Sequence, residues 1–224
     1  MENRKKLQTA RMHKYFIDAT VKIIESEGIE HVTVRKVGQL AGFTGSTLYN
    51  YFDDLSHLVF FASMRFLDDY NQEVLEYIEK ASTPLDKYLT TWECFCKHTF
   101  NKPEIFNAIF LSDLGGEPNA LLERYYNVYS SDFSKFPEEL KLIVLEHDLK
   151  KRNRPMLLQA VDQGYFVKND IDMLLALTIL AWKGMLTDTL NNRLNCSPEE
   201  STKMTMEYIR ELTRCYISKE VASK

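Results

Sequence analysis

Thr33-Val-Arg-Lys-Val-Gly-Gln-Leu-Ala-Gly42, followed three residues later by Ser46-Thr-Leu-Tyr-Asn-Tyr-Phe52, is the stretch that decides the fold. Thr33 suits an N-cap, because its hydroxyl can accept a hydrogen bond from an orphan amide of the first turn. Val34, Val37 and Ala41 recur at helical spacing. Gly42 then breaks the helix, and Thr44 is placed to cap a second short one running through Leu48 to Tyr51. Ala41 is expected at the close approach of the two helices, with Leu48 pointing back into a small core. Two short helices around a glycine turn form a helix-turn-helix arrangement.

Upstream, residues 9–28 carry one apolar face. Met12, Phe16, Ala19 and Ile23 fall in register, Ile17, Val21 and Ile24 widen the face, and Gly28 is placed as a stop. Downstream, Asp54 is expected to cap a long helix over 55–80. Thr83-Pro84 and Ser197-Pro198 are helix starts, the second with Glu200 completing a capping box. Two final helices are expected at 170–194 and 198–219. No segment shows the alternation of a strand, so the fold class is all-α. The expected organisation is a three-helix domain over 1–53 and a larger helical domain over 54–224.

Charge is unevenly spread. The whole chain is at −4, yet residues 1–52 hold 8 Lys and Arg against 5 acids. A basic head on an acidic body lets one end approach a polyanion while the other is repelled. Four cysteines over 224 residues do not make a disulfide framework. The opening Met-Glu-Asn-Arg-Lys-Lys runs into an amphipathic helix rather than an apolar leader, and a cytoplasmic location is expected. The apolar run Met173–Trp182 stops at Lys183, reads as a buried helix, and gives no membrane partner.

At this spacing after an amphipathic helix, Thr-Val-x-x-Val-x-x-x-Ala-Gly and Thr-Leu-Tyr-x-Tyr-Phe resemble the DNA-binding domain of the TetR family. The resemblance covers residues 16–58 in detail and the rest in outline. It implies a transcriptional regulator, typically a repressor. Such a protein is a homodimer that binds palindromic double-stranded operator DNA and is released by a small-molecule effector. The second short helix would enter the major groove, with Ser46, Tyr49 and Asn50 at base-reading positions. Asn50 can pair bidentately with adenine. Thr33, Thr47 and Tyr51 match phosphate-contacting positions, Arg35 and Lys36 add charge, and Thr44 and Gly45 belong to the same segment. Side chains of Arg4, Lys5 and Lys6 would extend the contacts. The chain departs from the family pattern at Gly45, Asp53-Asp54 and Leu55. Those departures keep a second reading open, a helical ligand-binding or interaction module with weakened DNA binding.

The aromatic-rich stretch 88–133 reads mostly as core, with a pocket between helices for a flat, apolar or aromatic effector as the functional alternative. Trp92, Cys96, His98, Phe110, Tyr126, Thr178 and Trp182 are the candidate pocket residues, with His98, Asp113 and Thr178 as polar anchors. Cys94 and His98 lie one helical turn apart and can share a ligand, whereas Cys96 points elsewhere. A tetrahedral site needs further ligands, so no metal or other cofactor is expected. Lys150, Lys151, Arg152 and Arg154 read as a solvated helix end. Leu177, Ala181, Gly184 and Asp188 on one helix, with Ile209, Leu212 and Tyr216 on the next, are expected at a dimer interface. No nucleophile elbow, phosphate-binding glycine loop or His-Glu-x-x-His pair is present, so no enzyme is expected.

Overall fold

The computed structural model describes residues 2–115, 118–130, 134, 136, 141 and 145–218, with side chains from Gln8 onward. Among these residues the secondary structure is helical. One isolated antiparallel bridge, Phe166 to Ile217, is the sole extended pairing among them. The chain divides into two compact units. The first takes Met1–Asp68 and Glu104–Lys141, the second Asp69–Pro103 and Leu142–Lys224.

In the first unit, α1 spans Glu2–Glu27 and stops at Gly28, whose φ of 98° suits glycine. Its apolar face buries Phe16, Ile17, Ala19 and Ile23. A short 3-10 turn, Ile29–His31, leads to α2, Val34–Ala41. Thr33 caps α2 by accepting from the amide of Lys36 at 3.3 Å. Gly42 ends it in the left-handed region at φ 81°. Gly45–Asn50 is a 3-10 helix, locked inward by the fully buried Leu48.

α3 covers Leu55–Met64, capped by Asp54, which accepts from the amide of His57 at 3.1 Å. The long helix expected over 55–80 is therefore interrupted. Arg65–Leu67 is 3-10 and α4 restarts at Asp68, running to Lys80. α3 packs on α1. Burial of Phe52, Leu58, Phe60 and Phe61 contributes roughly 1.5–3 kcal/mol per side chain. α6, Pro103–Phe110, and α7, Pro118–Val128, also carry residues of this unit.

The second unit holds α4 from Asp69 on, α5 (Pro84–Asn101), α8 (Leu149–Asp162), α9 (Ile171–Leu190) and α10 (Pro198–Tyr216). Thr83 caps α5 with Pro84 in its first turn, and the Ser197–Glu200 capping box is formed at α10. α5 packs on α8 and α10, and α9 packs on α8, α10 and α5. Trp92 and Trp182 anchor this core, with Trp182 Nε1 donating to Thr99 Oγ1 at 3.2 Å.

α9 is longer than the run Met173–Trp182 alone implies. At 20 residues and a mean hydropathy of 1.3, it is long and apolar enough to cross a membrane by length and composition. One face is buried by Leu174, Leu175, Thr178, Trp182 and Leu186, while Met173 and Leu180 are exposed.

Candidate nucleic-acid interface

The 3-10 segment Gly45–Asn50 displays its polar side chains outward. Ser46, Tyr49 and Asn50 are exposed, Tyr49 at 54%, while Leu48 on the opposite side is fully buried. A six-residue element with one inward anchor leaves Ser46, Tyr49 and Asn50 turned to solvent, where such side chains can meet base edges. Thr44 does not cap this segment through its side chain. Its hydroxyl instead meets Ser46 Oγ at 3.1 Å and Thr47 Oγ1 at 3.0 Å, giving an exposed hydroxyl cluster. Hydroxyls of this kind can donate to phosphate oxygens without adding formal charge.

The close approach expected at Ala41 occurs elsewhere. Ala41 is half-buried, whereas a Cβ on Gly38 would lie 2.9 Å from the Cα and N of Gly45. A Cβ on Gly45 would in turn meet Val34 Cγ1 at 2.9 Å. Gly45, taken from the sequence as a DNA-contacting position, thus has a packing role. A bulkier residue there would push the segment off α2.

α2 and the segment enclose an open groove lined by Val34, Arg35, Gln39, Phe43, Gly45 and Ser46. Arg35 is exposed and Thr33 stands at its N-terminal end. Gln39 was missed by sequence reasoning, although its spacing of four from Arg35 places both on one helix face. Lys36 is tied to Glu27 at 2.6 Å, so part of its charge is already matched. Tyr51 is half-buried, its ring 5.9 Å from that of Phe16. Arg4, Lys5 and Lys6 lie outside the residues whose side chains are described.

The acidic pair is accounted for locally. Asp54 caps α3. Asp53 lies 3.2 Å from Nη1 of Arg124, whose Nη2 donates to the Tyr51 carbonyl at 3.3 Å. Beneath the segment His13 is buried between the rings of Tyr51, Phe52 and Phe61. Burial, aided by the positive charge of Arg124, lowers its pKa to about 4. It is therefore a neutral core residue at physiological pH.

Residues 16–60 match the family described as bacterial regulatory proteins, tetR family. That match covers the N-terminal head and no more of the chain. No curated protein sequence matches the chain. Among solved structures it is similar to RolR in complex with resorcinol, at 15% identity and TM-score 0.61, covering 96% of this chain and 90% of that one. It is also similar to Thermus thermophilus FadR, a TetR-family repressor solved with lauroyl-CoA, at 12% identity and TM-score 0.59, covering 90% and 93%. Bacillus halodurans FadR follows at 14% identity and TM-score 0.53, covering 90% and 94%. At these identities the likeness concerns the fold alone.

The expected pocket residues divide between the two units. Phe110 and Tyr126 belong to the first, and Trp92, Cys96, His98, Thr178 and Trp182 to the second. Asp113 is exposed and accepts from the amide of Gly115 at 2.9 Å, a loop role. Thr178 is buried and accepts from Tyr88 Oη at 2.9 Å. The Cys96 thiol is pushed strongly upward by burial. The hollow bounded by Tyr70, Thr91, Trp92, Phe95, Arg152 and Met156 measures ≈ 10 Å³. That is about one water.

Arg152 corrects the reading of the basic run as a solvated end. It is buried and donates to Tyr70 Oη at 3.0 Å, while Lys150 and Arg154 reach out to Asp172. Only part of that run is solvated, because Arg152 lies on the inner face of α8.

Of the residues expected at a dimer interface, Gly184 is exposed and Leu177, Ala181, Asp188, Leu212 and Tyr216 are half-buried. Ile209 is corrected. It is 0% exposed and belongs to the core of the second unit, since α10 turns that face toward α5 and α9. The outer face of α10 instead carries Met204, Tyr208 and Leu212.

Proposed function

We propose that this chain is a ligand-responsive transcriptional repressor that binds a palindromic operator as a homodimer and leaves it when an effector binds. One observation carries the reading. The segment Gly45–Asn50 stands with Ser46, Tyr49 and Asn50 exposed while Leu48 anchors it from behind. In a tetR-type head this segment enters the major groove. DNA binding is assigned within residues 1–53, and effector binding and dimerisation within 54–224.

The homodimer follows from α9 and α10. Met173, Leu177, Leu180 and Gly184 make an outward stripe at helical spacing, continued by Met204, Tyr208 and Leu212 on α10. Two such pairs meeting on a two-fold axis form a four-helix bundle. The dimer sets two recognition segments one duplex turn apart, about 34–36 Å, or a multiple of it.

The effector reading rests on the second unit. Thr91 Oγ1 is buried without a hydrogen-bond partner among the described residues, beside the buried guanidinium of Arg152. A small ligand bearing oxygen atoms suits that lining. A hollow of ≈ 10 Å³ must open to admit it. Opening is what lets a ligand favour one conformation over another. RolR with resorcinol and T. thermophilus FadR with lauroyl-CoA show that similar folds hold ligands of very different size. The side chains, not the fold, choose the effector.

The reading as a module without DNA binding is disfavoured by Asp53 and Asp54, whose charges are taken up by Arg124 and by the α3 cap. The test is selection from random duplexes at low salt. A palindrome should emerge, and its affinity should fall steeply as salt rises. Recovery of no preferred sequence would overturn the repressor reading.

A further inference from the structure

A cluster outside the DNA-binding head brings together three kinds of metal-ligating group. Glu73 comes from α4, and Cys94 and His98 from successive turns of one face of α5. Their donor atoms all lie within 4.8 Å of one another. His98 Nε2 is 2.6 Å from Glu73 Oε2. The other carboxylate oxygen, Oε1, is held by the ammonium of Lys97. The sequence alone pairs Cys94 with His98 and lacks a further ligand. Folding supplies one from a different helix.

We propose that Glu73 Oε2, Cys94 Sγ and His98 Nε2 form a binding site for a single divalent cation of the zinc class, with water completing a tetrahedron. The donor set is the first argument. Thiolate, imidazole and carboxylate together select a borderline-soft ion over magnesium or calcium, which take oxygen ligands. Geometry is the second. Zinc–ligand lengths of about 2.0–2.3 Å put tetrahedral donors roughly 3.3–3.8 Å apart. Side-chain rotation brings the three atoms to that spacing, with the imidazole and carboxylate parting slightly and the thiol closing in.

Access is the third argument. Cys94 forms a buried floor, while His98 and Glu73 are half-buried at the lip, which leaves an entry and a position for water. Lys97 orients the carboxylate through its second oxygen and is itself half-exposed. On binding, the ion displaces the Sγ proton to solvent, and the thiolate joins the carboxylate as an anionic ligand. The bound ion ties α4 to α5. All three residues lie in the second unit, so the proposal is independent of the repressor reading.

The test uses the full chain with the two exposed thiols removed, Cys196→Ser and Cys215→Ser, so that surface sulfur does not compete. Cobalt(II) is the optical probe and zinc the competitor. The expected result is one equivalent of cobalt per chain, with the visible bands of a tetrahedral ion and a thiolate charge-transfer band in the near ultraviolet, both lost on adding zinc. Cys94→Ser should abolish the charge-transfer band, with far-ultraviolet circular dichroism confirming the fold. His98→Gln, at the lip, should weaken zinc by more than about tenfold, with the same circular dichroism control because its ring also touches Tyr70. Cys96→Ala should leave the spectrum unchanged. Absence of a stoichiometric tetrahedral spectrum, or its persistence in Cys94→Ser or at full affinity in His98→Gln, overturns the proposal.

Discussion

Gly38 and Gly45 approach so closely that a Cβ added to Gly38 would lie 2.9 Å from the backbone Cα and N of Gly45. The amide of Phe43 donates to the Gly38 carbonyl at 2.8 Å, which fixes the same crossing. Neither glycine has a positive φ, so the requirement is space rather than backbone freedom. Gly38→Ala should destabilise the head by about 1–3 kcal/mol, because backbone atoms cannot step aside as a side chain can. Denaturant unfolding of the variant measures it. An unchanged midpoint would show that the two elements are free to separate.

The sequence reading succeeded where the physics is local. Thr33, Gly42, Asp54, Thr83 and Ser197 mark helix ends through bonds to residues a few positions away, and each marks one in the structure. It failed where two faces of one helix are both apolar. Ile209 and Leu212 are equally hydrophobic, and only the packing of α10 on α5 and α9 decides which is core. The break at Arg65–Leu67 was hidden because α3 is buried nearly all round, which removes the helical period. Glu73 could not be joined to Cys94 and His98 from spacing, since it sits on a different helix. In the head, Ser46, Tyr49 and Asn50 were legible as an exposed set, whereas the packing role of Gly45 depends on Val34 across the turn.

The proposed base-reading and phosphate-contacting residues should separate in sequence dependence and salt response. Tyr49→Ala and Asn50→Ala should each cost about 1–3 kcal/mol at the preferred sequence and little at random DNA. Arg35→Ala should weaken both alike and lower the salt slope by about one. Fluorescence anisotropy on specific and scrambled duplexes, at several salt concentrations, distinguishes them. Equal losses for all three variants on both duplexes would remove the recognition role from Gly45–Asn50.

His13 makes the head sensitive to acid. Its pKa is about 4 in the fold, below the 6.5 of an exposed imidazole, because the ring is buried and Arg124 is positive. Between those values the unfolded chain binds the extra proton. Stability therefore rises with pH through that window and is lost as pH falls from about 6.5 toward 4, with a slope of up to about 1.4 kcal/mol per pH unit. Above 6.5 this residue adds no pH dependence. His13→Phe keeps an aromatic ring among Tyr51, Phe52 and Phe61 and should flatten the profile. Thermal unfolding of both proteins from pH 4 to 8 reads the difference.

The dimer proposal separates Leu180 from Ile209. Leu180 is 62% exposed on the outer stripe of α9, so Leu180→Glu should yield a folded monomer. Ile209 is buried within its protomer, so Ile209→Ala should cost about 2–5 kcal/mol of stability and leave the dimer contacts in place. Sedimentation velocity beside circular dichroism decides. A dimer that survives Leu180→Glu would place the interface on another surface.

Arg124 links α7 to the end of the Gly45–Asn50 segment through two separate contacts, one with the Asp53 carboxylate and one with the Tyr51 carbonyl. The ion pair is partly exposed and on its own adds no more than about 1 kcal/mol of stability. Its value lies in what DNA would meet. Without Arg124, Asp53 keeps only the His57 ring, 3.3 Å away, and turns more of its negative charge toward the phosphates, while the Tyr51 carbonyl loses its Arg124 donor. Arg124→Ala should therefore weaken operator binding with little change in melting temperature. Asp53→Asn in that background removes the repulsion alone and should restore the electrostatic share of the loss. Whatever remains reports the positioning of Tyr51. Full recovery in the double variant would make Arg124 a charge partner only, and partial recovery would make α7 a support for the segment that reads DNA.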